Sequence, residues 1–404
     1  MSPPGSAPGI SSSEIRIAIG NTEVVGPAAN DLFGIPPASV LRAEYEAVID
    51  AINRGGGIAC RKVVAQFYKI NPADQASMQG QCRDIVDSGV YAVLDDGGWA
   101  SRSPGTVTCF AQGKVLYLGA YFLTNALVQQ LYPYVFSFYN YEELYRNTAF
   151  ALRDRGFFQP SNGFVKLGLL FRNCDMDAVE SYARSLNDAG IASGSIVRYS
   201  LGCPSGFASP ADIQQAVLTF RREGVTHLTG ASFIGDLASF TRIAEQQGFR
   251  PKYGLPDETL IPISYGNMRA DPRNIANAIA ISVSRNGEER TPGMTPSAGT
   301  ARCNEIMKSH KLKSTYEEPT GAGNACSLLW ILQAGVQAAA SLDRAAFAQS
   351  LNKIKSVELS YPQGPNDLSR PRTMTGGQFW RPAQYFLDCE CWRVVDPNFK
   401  PSYR

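Results

Sequence analysis

The feature that most constrains this fold is a repeated alternation of short apolar strand-like runs with segments whose apolar residues fall at helical spacing, and a stretch, 132–172, where one such series ends and another begins. Tyr134-Val-Phe-Ser-Phe138 is β-branched and aromatic, the composition of a strand. Leu144, Phe150, Ala151 and Leu152 then recur at helical spacing up to Gly156, a natural stop. Val165 to Phe171 is a nearly continuous apolar run, as expected of a strand in a parallel sheet covered on both faces, and polar Arg172, Asn173 and Asp175 follow it. A chain that finishes one strand-and-helix series and starts a second predicts two lobes with a cleft between them, and that cleft is the expected functional site.

The rest of the chain obeys the same grammar. In the first series, strands are predicted at Glu14 to Gly20, Lys62 to Tyr68, Tyr91 to Leu94 and Val115 to Leu118, with helices from Ala38 to Asn53 and from Pro72 to Ser88. Leu41, Tyr45, Val48, Ile49 and Ile52 form one apolar stripe on the first helix. Ser103 and Pro104 read as the N-cap and first residue of a third helix. The second series continues through Asn277 to Val283, after which three helices and a group of strand-like pieces follow, the clearest of these being Tyr385 to Trp392. The expected division is 1–13 as a tether, 14–139 as the first lobe, 140–283 as the second, 284–357 returning to the first, and 358–404 returning to the second and the hinge. The fold class expected is α/β, two doubly wound parallel-sheet lobes joined by a multi-segment hinge.

Composition narrows the function. A length of 404 residues implies about two or three domains. With 44% hydrophobic and 18% charged residues the chain reads as globular. A net charge of +2, with no basic run interleaved with aromatics, argues against nucleic acid as a partner. Nine cysteines without a Cys-x-x-Cys pair suit disulfides in an oxidising compartment better than zinc. No apolar window is long enough to span a membrane. Met1 to Ser13, rich in Pro, Gly and Ser, has neither the charged nor the apolar part of a signal peptide and reads as a flexible tether left after an export signal.

Ile52-Asn53, Gly56-Gly57-Ile58 and Arg61-Lys62-Val63, together with Tyr91 to Leu94, Gly113-Lys-Val115 and the order of units through Leu255, resemble the type I periplasmic binding proteins, the leucine/isoleucine/valine-binding family of transporter receptors. The likeness covers most of 14–400; Cys60 stands where the pattern often has glycine. The resemblance implies a small ligand bound between the lobes at the strand C-terminal ends, a membrane ABC permease as partner, no cofactor, no metal, no catalysis, and a monomer outside the cytoplasm, tethered as a lipoprotein. It also implies that loops 95–101 and 120–124 supply hydroxyl and N–H groups to a ligand carboxylate, while an acid near Asp257 and an aromatic near Phe233 hold an ammonium and the apolar body.

The candidate ligand residues are therefore Asp96, Gly98, Trp99, Ser101, Ala120, Phe122 and Thr124 in the first lobe, and Arg172, Asp175, Ser232, Phe233 and Asp257 in the second. Each has a structural alternative. Asp95 and Asp96 could be solvated turn residues, Phe233 the first buried residue of a helix, Ser232 and Asp257 helix caps, and Arg172 a hinge salt bridge. Trp99, at a loop tip, is expected to line the cleft, so that Trp99→Ala or Asp257→Ala weakens binding without much loss of stability. Two carboxylates at the head of the loop that should receive an anion depart from the family pattern and tilt the expected ligand toward amine or hydroxyl groups. Arg172 is the alternative clamp for a carboxylate. The disulfides expected are Cys60–Cys82, Cys174–Cys203 and Cys303–Cys326. Cys109 is unassigned, and a direct Cys389–Cys391 bond within one strand is expected to be strained. A hydrolase using Cys174 would need a histidine base, and neither His227 nor His310 lies on an obvious cleft loop. A sensor domain of a signalling receptor is the third reading.

Overall fold

The structure, a computed structural model, describes residues 6–22, 37–71, 74–101, 103–174, 176–203, 208–231, 234–259, 270–285, 287–313, 322–369 and 378–403. They form two compact units: the first takes the described residues from 6 to 140 and from 295 to 369, the second those from 141 to 294 and from 378 to 403. The chain therefore passes from unit to unit after Asn140, after Met294, and again before Gln378.

In unit 1 the strands β1 (Glu14–Thr22), β2 (Lys62–Ile70), β3 (Ala92–Asp95), β4 (Leu116–Leu123) and β5 (Val135–Asn140) form a parallel sheet of order β2-β1-β3-β4-β5. β3, β4 and β5 are buried along their whole length, which is why they read as continuous apolar runs. Helices α1 (Ala38–Arg54), α2 (Gln75–Asp87), α3 (Pro104–Gln112) and α4 (Asn125–Gln130) connect them. Between α1 and β2 the chain turns at Gly57, whose φ of +76° and approach to the Arg61 carbonyl leave no room for a side chain. Ser103 does not bond to the backbone of α3 as an N-cap; its hydroxyl accepts from Thr106 Oγ1 at 3.0 Å instead. The later helices α9 (Ala298–Ser309) and α10 (Ala322–Ala338) pack against α1, and α11 (Arg344–Leu351) packs on α10.

In unit 2 the parallel strands β6 (Leu167–Phe171), β7 (Ile196–Ser200), β8 (His227–Ala231), β9 (Lys252–Pro256) and β10 (Ile279–Ser282) are joined by antiparallel β11 (Phe379–Phe386) and β12 (Cys391–Val394), in the order β12-β11-β10-β9-β8-β6-β7, with β13 (Lys400–Pro401) pairing β11. The sheet is thus parallel through β10 and antiparallel at one margin. Helices α5 (Tyr141–Asp154), α6 (Met176–Asp188), α7 (Pro210–Arg222) and α8 (Ile234–Gln246) belong to this unit.

Several expectations are corrected. The described residues of 284–294 stay with unit 2, because Ser284 N–H donates to Asp257 and Thr291 Oγ1 accepts from Val394 N–H. Residues 358–369 belong to unit 1, where Ser360 is bonded to Ser327 and Thr300. Tyr385 to Trp392 is not one strand: the chain reverses at 387–390, and the turn is closed by a Cys389–Cys391 disulfide. Cys82 pairs with Cys109, joining the adjacent helices α2 and α3, and not with Cys60, which is a free, exposed thiol. Cys174–Cys203 and Cys303–Cys326 form as expected. Among the described residues no helix is long and apolar enough to cross a membrane.

Candidate functional site

In an open parallel sheet, ligands bind beyond the strand C-terminal ends at the point where strand order reverses. In unit 1 that point lies at β1 and β3, and the loop it exposes is 95–101. This loop is folded around the Asp95 carboxylate. Oδ1 accepts from Trp99 N–H at 3.1 Å, while Oδ2 accepts from Ala100 N–H at 3.0 Å, from Ser101 N–H at 3.4 Å and from the Tyr117 hydroxyl at 2.7 Å. Ser101 Oγ donates to the Gly98 carbonyl at 3.1 Å. Gly98 sits at φ +67° with Tyr121 where a Cβ would be. The donors expected to receive a ligand carboxylate are turned inward onto Asp95. Burial still lifts the Asp95 carboxyl above its ordinary range.

Trp99 is not at an exposed tip. It is 0% exposed, lies against Gly20 of β1 and meets Phe110 edge-on at 5.9 Å. Its role in packing unit 1 corrects the expectation that its loss would spare stability. Asp96 is also buried, at 9% exposure, and its carbonyl accepts from Asn324 Nδ2 at 3.2 Å. Burial first, then the charges of Asp95 and Glu44, push the Asp96 carboxyl well above the usual carboxylate range. The same three carboxylates act on the buried Tyr45 phenol. Glu44 and Tyr45 come from α1 and were not candidates from sequence: Tyr45 read as one more apolar position, and nothing local marks Glu44 as buried.

The other unit 1 candidates are structural in their visible contacts. Ala120 and Phe122 are buried on β4, Phe122 stacking on Tyr139 at 5.0 Å. Thr124 caps α4, its Oγ1 accepting from Leu127 N–H at 3.3 Å.

In unit 2, Arg172 follows β6 and makes a two-pronged ion pair with Asp236, Nη2 to Oδ1 at 2.9 Å and Nε to Oδ2, and Asp236 also accepts from Ala208 N–H. The pair lies within one unit, and the guanidinium is engaged there with a carboxylate. Asp257, after β9, accepts from Ser282 Oγ at 2.9 Å, Val283 N–H at 3.2 Å and Ser284 N–H at 2.8 Å. It ties the end of β9 to the end of β10, and burial raises its carboxyl to about 6 despite these donors. Neighbouring Glu258 accepts from the Tyr145 hydroxyl at 2.8 Å. Asp175, Ser232 and Phe233 lie outside the described residues. The sequence signal that could have found Asp236 was its place in the first turn of α8, where an acid suits the helix N-terminus.

The Cys174 sulfur is in a disulfide, His227 is buried beside Phe157 and Phe164 with burial lowering its pKa to about 4, and His310 pairs with Asp50 at 2.8 Å. A cavity of about 430 Å³ opens where α1 ends, against α9 and α10, lined by Arg302, Glu305, Trp330 and Gln333 among others. It lies at the C-terminal end of α1 and does not coincide with loop 95–101.

No protein-family model matches this chain, and no curated protein does. Solved structures do match. A periplasmic binding protein type 1 from Bordetella pertussis Tohama I superposes with a TM-score of 0.71 at 16% identity, over 96% of this chain and 100% of the other. The fold is that of the type I periplasmic binding proteins. Two further type I likenesses were solved with ligands. A solute-binding protein of an R. palustris ABC transporter, in complex with 4-hydroxybenzoate, gives a TM-score of 0.69 at 12% identity over 97% and 98% of the two chains. A branched-chain amino acid transporter substrate-binding protein from Streptococcus pneumoniae, in complex with isoleucine, gives 0.66 at 15% over 95% and 100%. Each of these matches covers at least 95% of both chains.

Proposed function

We propose that this chain is a solute-binding receptor that takes a small polar organic molecule at its strand C-terminal ends and presents it to an ABC permease. The observation that carries the reading is a likeness to solved solute-binding proteins over at least 95% of both chains, together with a strand-tip loop at the switch point of unit 1 that is braced from within by Asp95. A rigid, pre-folded loop holds its ligand contacts in place before the ligand arrives, which lowers the ordering cost of binding. The receptor works outside the cytoplasm as a tethered monomer; four disulfides suit such a compartment. Transport needs the ligand to favour a closed over an open arrangement, since equal affinity for both shifts nothing. A thermal-shift screen of amino acids, amines, amides and aromatic acids tests the proposal. One class should raise the melting temperature in a saturable way, with no turnover of small amides or esters; hydrolysis, or no shift from any class, would sink it.

A further inference from the structure

The cavity where α1 ends plays no part in the receptor reading, and its walls have the makings of a second binding site. Its volume of about 430 Å³ is within the range of small-molecule pockets. It lies wholly in unit 1, between α1, α9 and α10, and none of its lining residues belongs to loop 95–101. Ile52 of α1, Ile306 of α9 and Trp330 of α10 give it an apolar wall. Trp330 is only 5% exposed, and its indole N–H has no hydrogen-bond partner among the described residues. The Arg302 Cζ lies over the indole ring, 4.4 Å from its centroid. A cation–π contact of this kind positions a guanidinium without engaging it with any acceptor oxygen. Among the described residues Arg302 has neither an ion pair nor a hydrogen bond, although it is exposed and lines the cavity. Glu305 stands three residues further along α9, on the same helix face, and is likewise without an ion pair among the described residues.

We infer that this cavity binds a small organic monocarboxylate with an apolar or aromatic body, the carboxylate on Arg302 and the body against Trp330, Ile52 and Ile306. A guanidinium fork matches the two oxygens of a carboxylate, and the apolar wall takes the rest of the molecule out of water. Arg302 is held in place by the indole before any ligand arrives, whereas Glu305 has no such anchor among the described residues, so the anchored charge decides the sign of the ligand. Glu305 then sets a limit. A dianion such as phosphate would place its second charge near that carboxylate, and a cation would meet Arg302. This site is separate from a ligand held at the strand C-terminal ends, and it stands or falls without the receptor reading.

Calorimetry on the full chain tests it, with benzoate, phenylacetate and indole-3-acetate as monocarboxylates, benzyl alcohol as a neutral probe, benzylamine as a cation and inorganic phosphate as a dianion. At least one monocarboxylate should bind, and Arg302→Gln should weaken it about tenfold or more with no change in the melting temperature of the free protein. Arg302→Lys should recover only part of the loss, because an ammonium keeps the charge and lacks the fork. Glu305→Gln should tighten the same monocarboxylate about twofold by removing a like charge, a gain that a merely structural role would not give. Trp330→Phe, which keeps an apolar wall and a weaker π-face, should loosen it severalfold. If a monocarboxylate also binds at the strand ends, Arg302→Gln should remove one of two sites and leave the other, which supports the inference. Monocarboxylate binding that neither Arg302→Gln nor Glu305→Gln alters overturns it, as does a loss of affinity in Glu305→Gln. Tighter binding of benzyl alcohol, benzylamine or phosphate in an Arg302-dependent way, or no binding of any monocarboxylate, overturns it as well. Each of these failures leaves the receptor standing.

Discussion

Trp99 and Asp257 show how a residue type suited to ligand contact can be spent on the scaffold. The indole of Trp99 fills the space that Gly20 leaves on β1. Trp99→Ala should therefore cost about 3 to 5 kcal/mol of stability, read by urea denaturation. A full-stability variant that has lost ligand affinity would return Trp99 to the ligand. Asp257 and His227 make opposite contributions to pH dependence. The folded state holds the Asp257 proton up to about 6 against 3.8 ordinarily, so its contribution to stability is lost as pH rises through that window, by up to about 3 kcal/mol. His227 is held neutral down to about 4 against 6.5, so its contribution is lost as pH falls through nearly the same window, by a comparable amount. The two largely cancel in the native chain. Denaturation across this range should show each separately: relative to wild type, Asp257→Asn should gain stability as pH rises, and His227→Gln should gain as pH falls. Parallel curves for all three proteins would refute both assignments.

At the level of elements, the partner of Cys82 is chosen by which helix faces meet. Cys82 lies on the buried face of α2, and the facing partner is Cys109 near the end of α3, not Cys60 in the turn before β2. Cys60 is somewhat nearer to Cys82 in sequence than Cys109 is, so spacing pointed, if anywhere, to the wrong partner. Closing this loop of about 28 residues should contribute about 3.5 kcal/mol in the chain-entropy account. Cys82→Ala with Cys109→Ala should lower the melting temperature by several degrees, whereas Cys60→Ser should not. Thiol titration of the native wild type should find Cys60 reactive and Cys60→Ser silent; a silent wild type would place Cys60 in a bond.

For the whole molecule, the receptor proposal makes a prediction of its own. If ligand contacts come from both units, small-angle scattering should show a smaller radius of gyration on saturation with whichever probe binds, and an unchanged profile with a probe that does not. A binding probe that leaves the profile unchanged would argue for a ligand taken by one unit alone.

The alternation of strands and helices was legible because it is written in local periodicity: Leu167 to Phe171 is apolar because β6 is buried along its length, and Tyr45, Val48, Ile49 and Ile52 share one side of α1 because a helix turns at a fixed pitch. Those patterns need no knowledge of distant residues. Burial of Glu44, the closing of 95–101 onto Asp95, the engagement of Arg172 by Asp236 and the choice of Cys109 by Cys82 were not legible, since each depends on atoms brought together from separate segments. A carboxylate's environment, and with it whether it braces a loop or meets a ligand, is set by what surrounds it after folding, and no pattern along the chain carries that information.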